Sequence, residues 1–300
     1  MEQKRGLFHL LAVFAVIIWG STFISTKLLL NNGISPRDIF FYRTVIAYLG
    51  IWLVCPRKLL TDSWKDEAWM VLAGITGGSA FFVLQNTALG ITQAANVSFI
   101  VCTAPLLTVL LSLAYYRTEH AHKGLIFGSI LALIGVGLVV FSGSVELKLS
   151  PLGDLLTLSS AMLWAVYSII IKEMGTRYSM LLITRKVFFY GAVTLIPLFL
   201  FEPLVWDAEA MSRPVVWGNL LFMAVFASLI CFVAWSYVLK RLGTVVSSNY
   251  LYLNPLVTMI TSYLLLGEQI TLTSLVGLGC ITLGVYLSQG GKVRFPRIRY

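Results

Sequence analysis

Apolar residues run along the chain in blocks of about twenty, broken by short polar stretches. A helix needs about 20 apolar residues to cross a bilayer core roughly 30 Å thick. Ten such blocks are predicted, at 7–28, 37–55, 68–89, 93–115, 124–142, 152–171, 180–201, 215–239, 245–266 and 272–289. The connections are mostly under a dozen residues, which leaves no room for a soluble domain between blocks. Lys4 and Arg5 precede the first block as they would in a signal peptide, but no small-residue cleavage site follows, so this block is expected to be retained. The pattern predicts an all-α integral membrane protein with ten transmembrane helices.

The pattern also repeats. Trp19 and Lys27 recur as Trp164 and Lys172, and Ser98, Pro105, Leu106 and Thr108 recur 150 positions later as Ser248, Pro255, Leu256 and Thr258. Glu119, Gly128, Gly135 and Val136 recur as Glu268, Gly277, Gly284 and Val285, offset by 149. Two five-helix repeats are expected, over 1–146 and 147–300. Five crossings per copy is an odd number, so the copies must run in opposite orientations. Inverted repeats of this kind serve secondary transporters, whose two halves rock around a central site.

Composition strengthens the membrane reading. The chain is 58% hydrophobic and 12% charged, against about 25% charged for a soluble domain. The net charge of +9 would suit nucleic acid, but its distribution does not. With the amino terminus inside, fifteen Lys and Arg residues fall on cytoplasmic ends and loops, and three (Arg37, Lys148 and Arg213) on the other side. That bias satisfies the positive-inside rule and, with an even number of spans, puts both termini in the cytoplasm. A bacterial inner membrane is the expected location, a lipid bilayer the expected partner, and nucleic acid is excluded. The basic tail at 292–299 reads as an anchor on the anionic leaflet. Cys55, Cys102, Cys231 and Cys280 lie in apolar spans without metal-like spacing and read as small buried hydrophobes.

The polar groups inside the spans carry the candidate chemistry. Pro105 and Pro255 are helix breaks at matching repeat positions, and proline frees backbone groups that must find partners or water in lipid. Paired breaks point to a site at the midplane. Polar and aromatic residues gather around them, and a substrate cavity is expected between the halves, lined by Trp19, Ser21, Thr22, Asn86, Ser98, Trp164, Tyr167, Trp235, Tyr250 and Tyr252. Arg43, Arg185 and Lys186 are intramembrane charges near span ends. They read as gating or structural groups, with an anionic substrate contact as the open alternative. No Asp or Glu lies well inside a span. The cavity therefore reads as neutral, aromatic and hydroxyl-rich, suited to an uncharged or zwitterionic small solute. Nothing calls for a metal or cofactor. The rival readings are a membrane enzyme acting on a lipid-linked substrate and a non-transporting scaffold; an enzyme would need clustered catalytic groups. Spans five and ten carry Gly128, Gly135, Gly137, Gly277, Gly279 and Gly284, small residues that let helices approach closely. Internal packing and a homodimer face are equally open there.

These features together resemble the EamA family of the drug/metabolite transporter superfamily. The resemblance is carried by Ile18-Trp19-Gly20-Ser21-Thr22-Phe23, by Arg43 after a Pro36 loop, and by Ala104-Pro105-Leu106 followed by Glu119. The second half adds Ala161-Met162-Leu163-Trp164-Ala165, Asn254-Pro255-Leu256 and Leu266-Gly267-Glu268. The resemblance covers nearly the whole chain. It implies inverted five-helix repeats, a central cavity, alternating access, and export or exchange of small organic metabolites such as amino acids. The chain departs from the pattern at Tyr116-Arg117-Thr118-Glu119.

Overall fold

The computed structural model describes residues 2–55, 60–92, 94–116, 123–140, 150–201, 203–204, 208–266 and 271–288, and these form helices without strands. In chain order they are α1 (Glu2–Asn31), α2 (Pro36–Val54), α3 (Trp64–Ile91), α4 (94–115), α5 (Lys123–Val140), α6 (Pro151–Met174), α7 (Met180–Leu200), α8 (Pro214–Leu242), α9 (244–266) and α10 (Leu272–Ser288). A short helix, Ala208–Ser212, precedes α8. Five helical segments among the described residues are long and apolar enough to cross a membrane: Gly6–Asn31, α3, α6, α7 and α8. Phe99–Tyr115, Gly124–Leu138 and Leu275–Ser288 are shorter apolar runs. Glu119, Glu268, His120, His122 and the basic tail at 292–299 lie outside the described residues, as does the side chain of Ser98.

Local sequence explains where helices start. Ser35, Ser63 and Ser179 cap α2, α3 and α7, each accepting a backbone N–H three residues on, the geometry that satisfies an orphan donor at a helix start. Pro36 sits in the first turn of α2, where a missing N–H does no harm. Gly33 (φ +86°) and Gly243 (φ +83°) follow α1 and α8 in left-handed backbone that other residues adopt at a cost.

Packing is reciprocal between the halves. α1 lies against α8 and α9, while α6, which carries the repeat mate of Trp19, lies against α3 and α4. α2 rests on the middle of α8, and α7 on the start and middle of α3. The buried centre holds Trp164, Tyr167, Phe81, Phe232 and Trp235. Leu7, Leu10, Phe14 and Ile17 form an exposed face along α1, an apolar surface suited to lipid rather than water.

α5 and α10 pack on each other face to face. A Cβ on Gly135 would lie 2.6 Å from the Gly277 carbonyl oxygen and 2.7 Å from the Ile281 amide, and one on Gly284 would lie 2.5 Å from Ala132 N. Gly128, Gly135 and Gly284 are thus occupied by contact between α5 and α10, whereas Gly279 has nothing within 4 Å of an added Cβ.

Four of the helical rods, α3, α4, α8 and α9, are broken. α3 and α8 each contain a π-helical segment, Ile75–Ser79 and Phe222–Ile230, and Gly78 departs from helical backbone (φ −126°, ψ −108°). At the repeat offset of 150, Ile75–Ser79 falls inside Phe222–Ile230. α4 restarts at Ala104 after a turn at Cys102–Thr103, and α9 passes through a 3₁₀ segment, Tyr250–Leu253, before restarting at Asn254. Pro105 and Pro255 occupy the second position of the restarted helices, where proline fits the first turn.

Candidate functional site

The breaks in α4 and α9 adjoin a cavity of about 70 Å³. Its walls come from both halves: Trp19, Thr22 and Phe23 on α1, Arg43 on α2, Phe81, Phe82 and Gln85 on α3, Val101, Cys102 and Ala104 on α4, Trp164 on α6, Phe232 on α8, and Leu251 and Asn254 on α9. Both restart points, at Ala104 and Asn254, are in this wall. The sequence therefore places the prolines beside the space their breaks help to open.

The aromatic floor centres on the repeat mates Trp19 and Trp164, which meet edge to face with centroids 5.5 Å apart. Phe232 touches both, at 5.8 and 6.0 Å, and Trp164 also meets Phe81 at 5.1 Å. Such pairs add about 0.5–1.5 kcal/mol each beyond area burial and fix the ring orientations. The two indoles differ in one respect. Trp19 Nε1 donates to the carbonyl of Ala227 at 2.9 Å, in the π segment of α8. Trp164 Nε1 is buried without an acceptor.

The remaining expected cavity residues are placed as follows. Ser21 and Thr22 donate back to the carbonyls of Ile18 and Trp19; Thr22 lines the cavity and Ser21 is not in its wall. Asn86 is turned away, donating to the Pro36 carbonyl at 3.0 Å and tying α3 to the start of α2. Tyr167 and Trp235 form a second aromatic layer behind Trp164 and Trp19, at 5.2 and 5.1 Å. Tyr167 lies over Gly77, where a Cβ would collide with its ring. Tyr250 pairs with His9 Nδ1. Tyr252 is fully buried in a separate cluster with Cys102, Val136 and Ile281. Phe81, Phe82 and Phe232 were not among the expected residues, although Phe82 and Phe232 are repeat mates 150 apart, a signal present in the sequence.

The charges divide sharply. Arg43 is 3% exposed and lines the cavity. Its Nε donates to Ser228 Oγ at 2.9 Å, and its guanidinium carbon lies 4.3 Å from the Phe82 ring centroid. The cavity is thus not neutral: the partners that draw Arg43 inward come from α3 and α8, far away in sequence. Arg185 instead donates to the carbonyl of Cys55 beyond the end of α2. Lys186 is paired with Glu67, which also accepts from Tyr190 and from both the amide and hydroxyl of Thr61. Beside this pair, Asp66 accepts from Arg177 at 2.8 Å and from Tyr178 at 2.7 Å. Burial and the bond to Asp66 hold the Tyr178 phenol above its ordinary pKa, so it stays a donor. The two cations of α7 therefore fasten α7 to the start of α3 and the end of α2. Among the described residues no group of three His, Cys, Asp or Glu side chains is placed to hold a metal.

Comparison with known proteins extends this picture. The EamA-like transporter family matches residues 6–141 and again residues 151–289. A transporter of Archaeoglobus fulgidus is 29% identical over 289 residues, covering 93% of this chain and 96% of that protein. A probable terminal-alkyne amino-acid exporter of Streptantibioticus cattleyicolor is 26% identical, covering 92% and 91%. A probable amino-acid metabolite efflux pump of Escherichia coli is 24% identical, covering 97% and 96%. A solved crystal structure superposes with a TM-score of 0.74 at 19% identity, covering 97% of this chain and all of the other, which shows a shared fold.

Proposed function

The chain belongs to the EamA-like transporter family, and on that premise we propose that it exports a small amino-acid-like metabolite across a bacterial inner membrane by alternating access. The observation that carries this reading is a cavity walled by equivalent residues of both halves, with Trp19 and Trp164 in contact at its wall. A site built at a repeat interface is exposed to either side when the halves rock. The cavity's about 70 Å³ is well short of the roughly 300 Å³ of typical small-molecule pockets, so passage of a metabolite requires the halves to part. Ten spans in two inverted repeats, over 1–146 and 147–300, suit the reciprocal packing of α1 and α6, the matched π segments and the two stretches of family similarity. The charge bias suits cytoplasmic termini. The names of two relatives favour an amino-acid-like cargo.

Counterflow into liposomes holding the purified protein tests the proposal. Radiolabelled amino acids should enter saturably when the lumen contains the unlabelled compound. Trp164→Ala should slow entry by about tenfold at equal incorporation, the effect of about 1.4 kcal/mol lost from the cavity wall. Absence of entry across an amino-acid panel would overturn the cargo, and turnover of a lipid-linked substrate would replace the transporter by the enzyme.

A further inference from the structure

We propose that Arg43 is the binding residue for a carboxylate on the transported solute, so that the cavity selects compounds with one acid group. The inference rests on the cavity being the solute's site, and it adds the chemistry that the site reads.

Arg43 differs from the other two buried cations: Arg185 donates to the Cys55 carbonyl. Lys186 meets the carboxylate of Glu67, whereas no carboxylate pairs with Arg43 among the described residues. Asp38, on the same helix, faces Arg37. The Arg43 side chain is held by Ser228 through Nε and by the Phe82 face. Those contacts orient the guanidinium and leave its two terminal nitrogens as unpaired donors at the cavity wall. A buried cation lacking a counter-charge is costly, and the cost is removed when an anion arrives. The fork of a guanidinium matches the two oxygens of a carboxylate.

A second observation points the same way. Trp164 lines the same cavity, is 5% exposed, and has a buried Nε1–H without an acceptor. Its repeat mate Trp19 has satisfied the equivalent group on the Ala227 carbonyl. Two unmatched donor sets thus border one space. Asn254 supplies the opposite character: its Oδ1 is buried without a donor, a place for an ammonium or amide N–H. One formal positive charge in a wall otherwise made of aromatic, apolar and neutral polar groups suits a monoanionic carboxylate better than a dianionic phosphate, whose second charge would be buried unpaired.

Two measurements on the purified full chain test this. In the first, thermal unfolding is followed in nanodiscs with sodium propionate, with its neutral isostere propionamide, and with sodium chloride at equal ionic strength. Propionate should raise the midpoint and propionamide should not. Arg43→Met should abolish the propionate response while raising the midpoint of the ligand-free protein, because it removes an uncompensated charge at similar volume. A merely structural arginine would give the reverse, a lower midpoint. Arg43→Lys keeps the charge but loses the fork and the Ser228 bond, and should weaken propionate binding by about tenfold; it serves if the methionine variant does not fold. In the second, liposome flux compares alanine and phenylalanine with their amides. Acids crossing at least about tenfold faster than amides is expected. Amides crossing as fast as acids would overturn the carboxylate assignment and leave the transporter reading intact. Flux of neither, with propionate still bound through Arg43, would leave the acid site standing and remove transport of amino acids. No response to propionate in the native protein would overturn the proposal.

Discussion

Arg43 and Lys186 are both buried cations, 3% exposed each, and they differ by one carboxylate. Lys186 has Glu67, and Glu67 has three further donors from Thr61 and Tyr190. Removing one partner of such a pair leaves a bare buried charge and typically costs about 3–5 kcal/mol, whereas replacing both with apolar groups is often close to neutral. Lys186→Met is therefore expected to lower unfolding stability by about 3–5 kcal/mol, and Lys186→Met with Glu67→Leu to lose less than the sum of the two single losses, the remainder reflecting the donors of Thr61 and Tyr190 left without Glu67. A double-mutant cycle read by denaturant unfolding in mixed micelles checks this; additive losses would show that the pair is not coupled. The prediction has opposite sign to that for Arg43→Met, so the two variants distinguish a charge that fastens helices from one kept for a ligand.

At the level of helices, small residues do two separate jobs. On α5 and α10 they bring backbones together: a Cβ at Gly135 would meet main-chain atoms of α10 at 2.6 and 2.7 Å, and main chain cannot move aside as a flexible side chain can. Gly279, on the same α10, has nothing within 4 Å of an added Cβ. Gly135→Ala should destabilise by about 1–3 kcal/mol through overpacking, while Gly279→Ala should be neutral or stabilising by up to about 1 kcal/mol through helix propensity. Thermal unfolding of the two variants decides it, and equal effects would refute the face-to-face packing of these helices. Around the cavity, small residues admit side chains instead. Gly77 makes room for the Tyr167 ring, and Gly20 brings α1 within reach of Val257 and the Asn254 carbonyl. There Thr258 Oγ1 donates to the Gly20 carbonyl at 3.0 Å, pinning α1 to the restarted part of α9. The π segments belong with these features, since irregular backbone inside a membrane is tolerated where protein covers it or a cavity adjoins it.

For the whole molecule, α1 packs on the helices of the second half and α6 on those of the first, so the two halves interlock. An inverted arrangement has a direct topological consequence. The connection before α3, near Lys65, and the one before α10, near Gly267, should open to opposite sides of the membrane, the first to the cytoplasm. Paired reporter fusions that are active only in the cytoplasm or only outside it should give opposite signals at these two positions. Identical signals would exclude inverted repeats and with them rocking around a shared axis.

The linear sequence was sufficient for the features that depend on local chain properties. Block length and composition specify apolar helices because lipid requires backbone groups to be satisfied within each segment. Repeat spacing brought out Trp19 and Trp164, and proline position brought out the restart points of α4 and α9, since proline acts on its own turn. Contact across helices is another matter. Arg43 and Arg185 look alike as arginines near span ends, yet one lines the cavity and the other holds the Cys55 carbonyl. Asn86 and Tyr252 look like cavity residues, yet one caps a neighbouring backbone and the other packs towards α5 and α10. Residues 185 positions apart, as Arg43 and Ser228 are, or 241 apart, as His9 and Tyr250 are, choose one another only when helices cross. Packing geometry, set by side-chain volume on both helices at once, decides which polar groups are satisfied by protein and which are left to meet a solute.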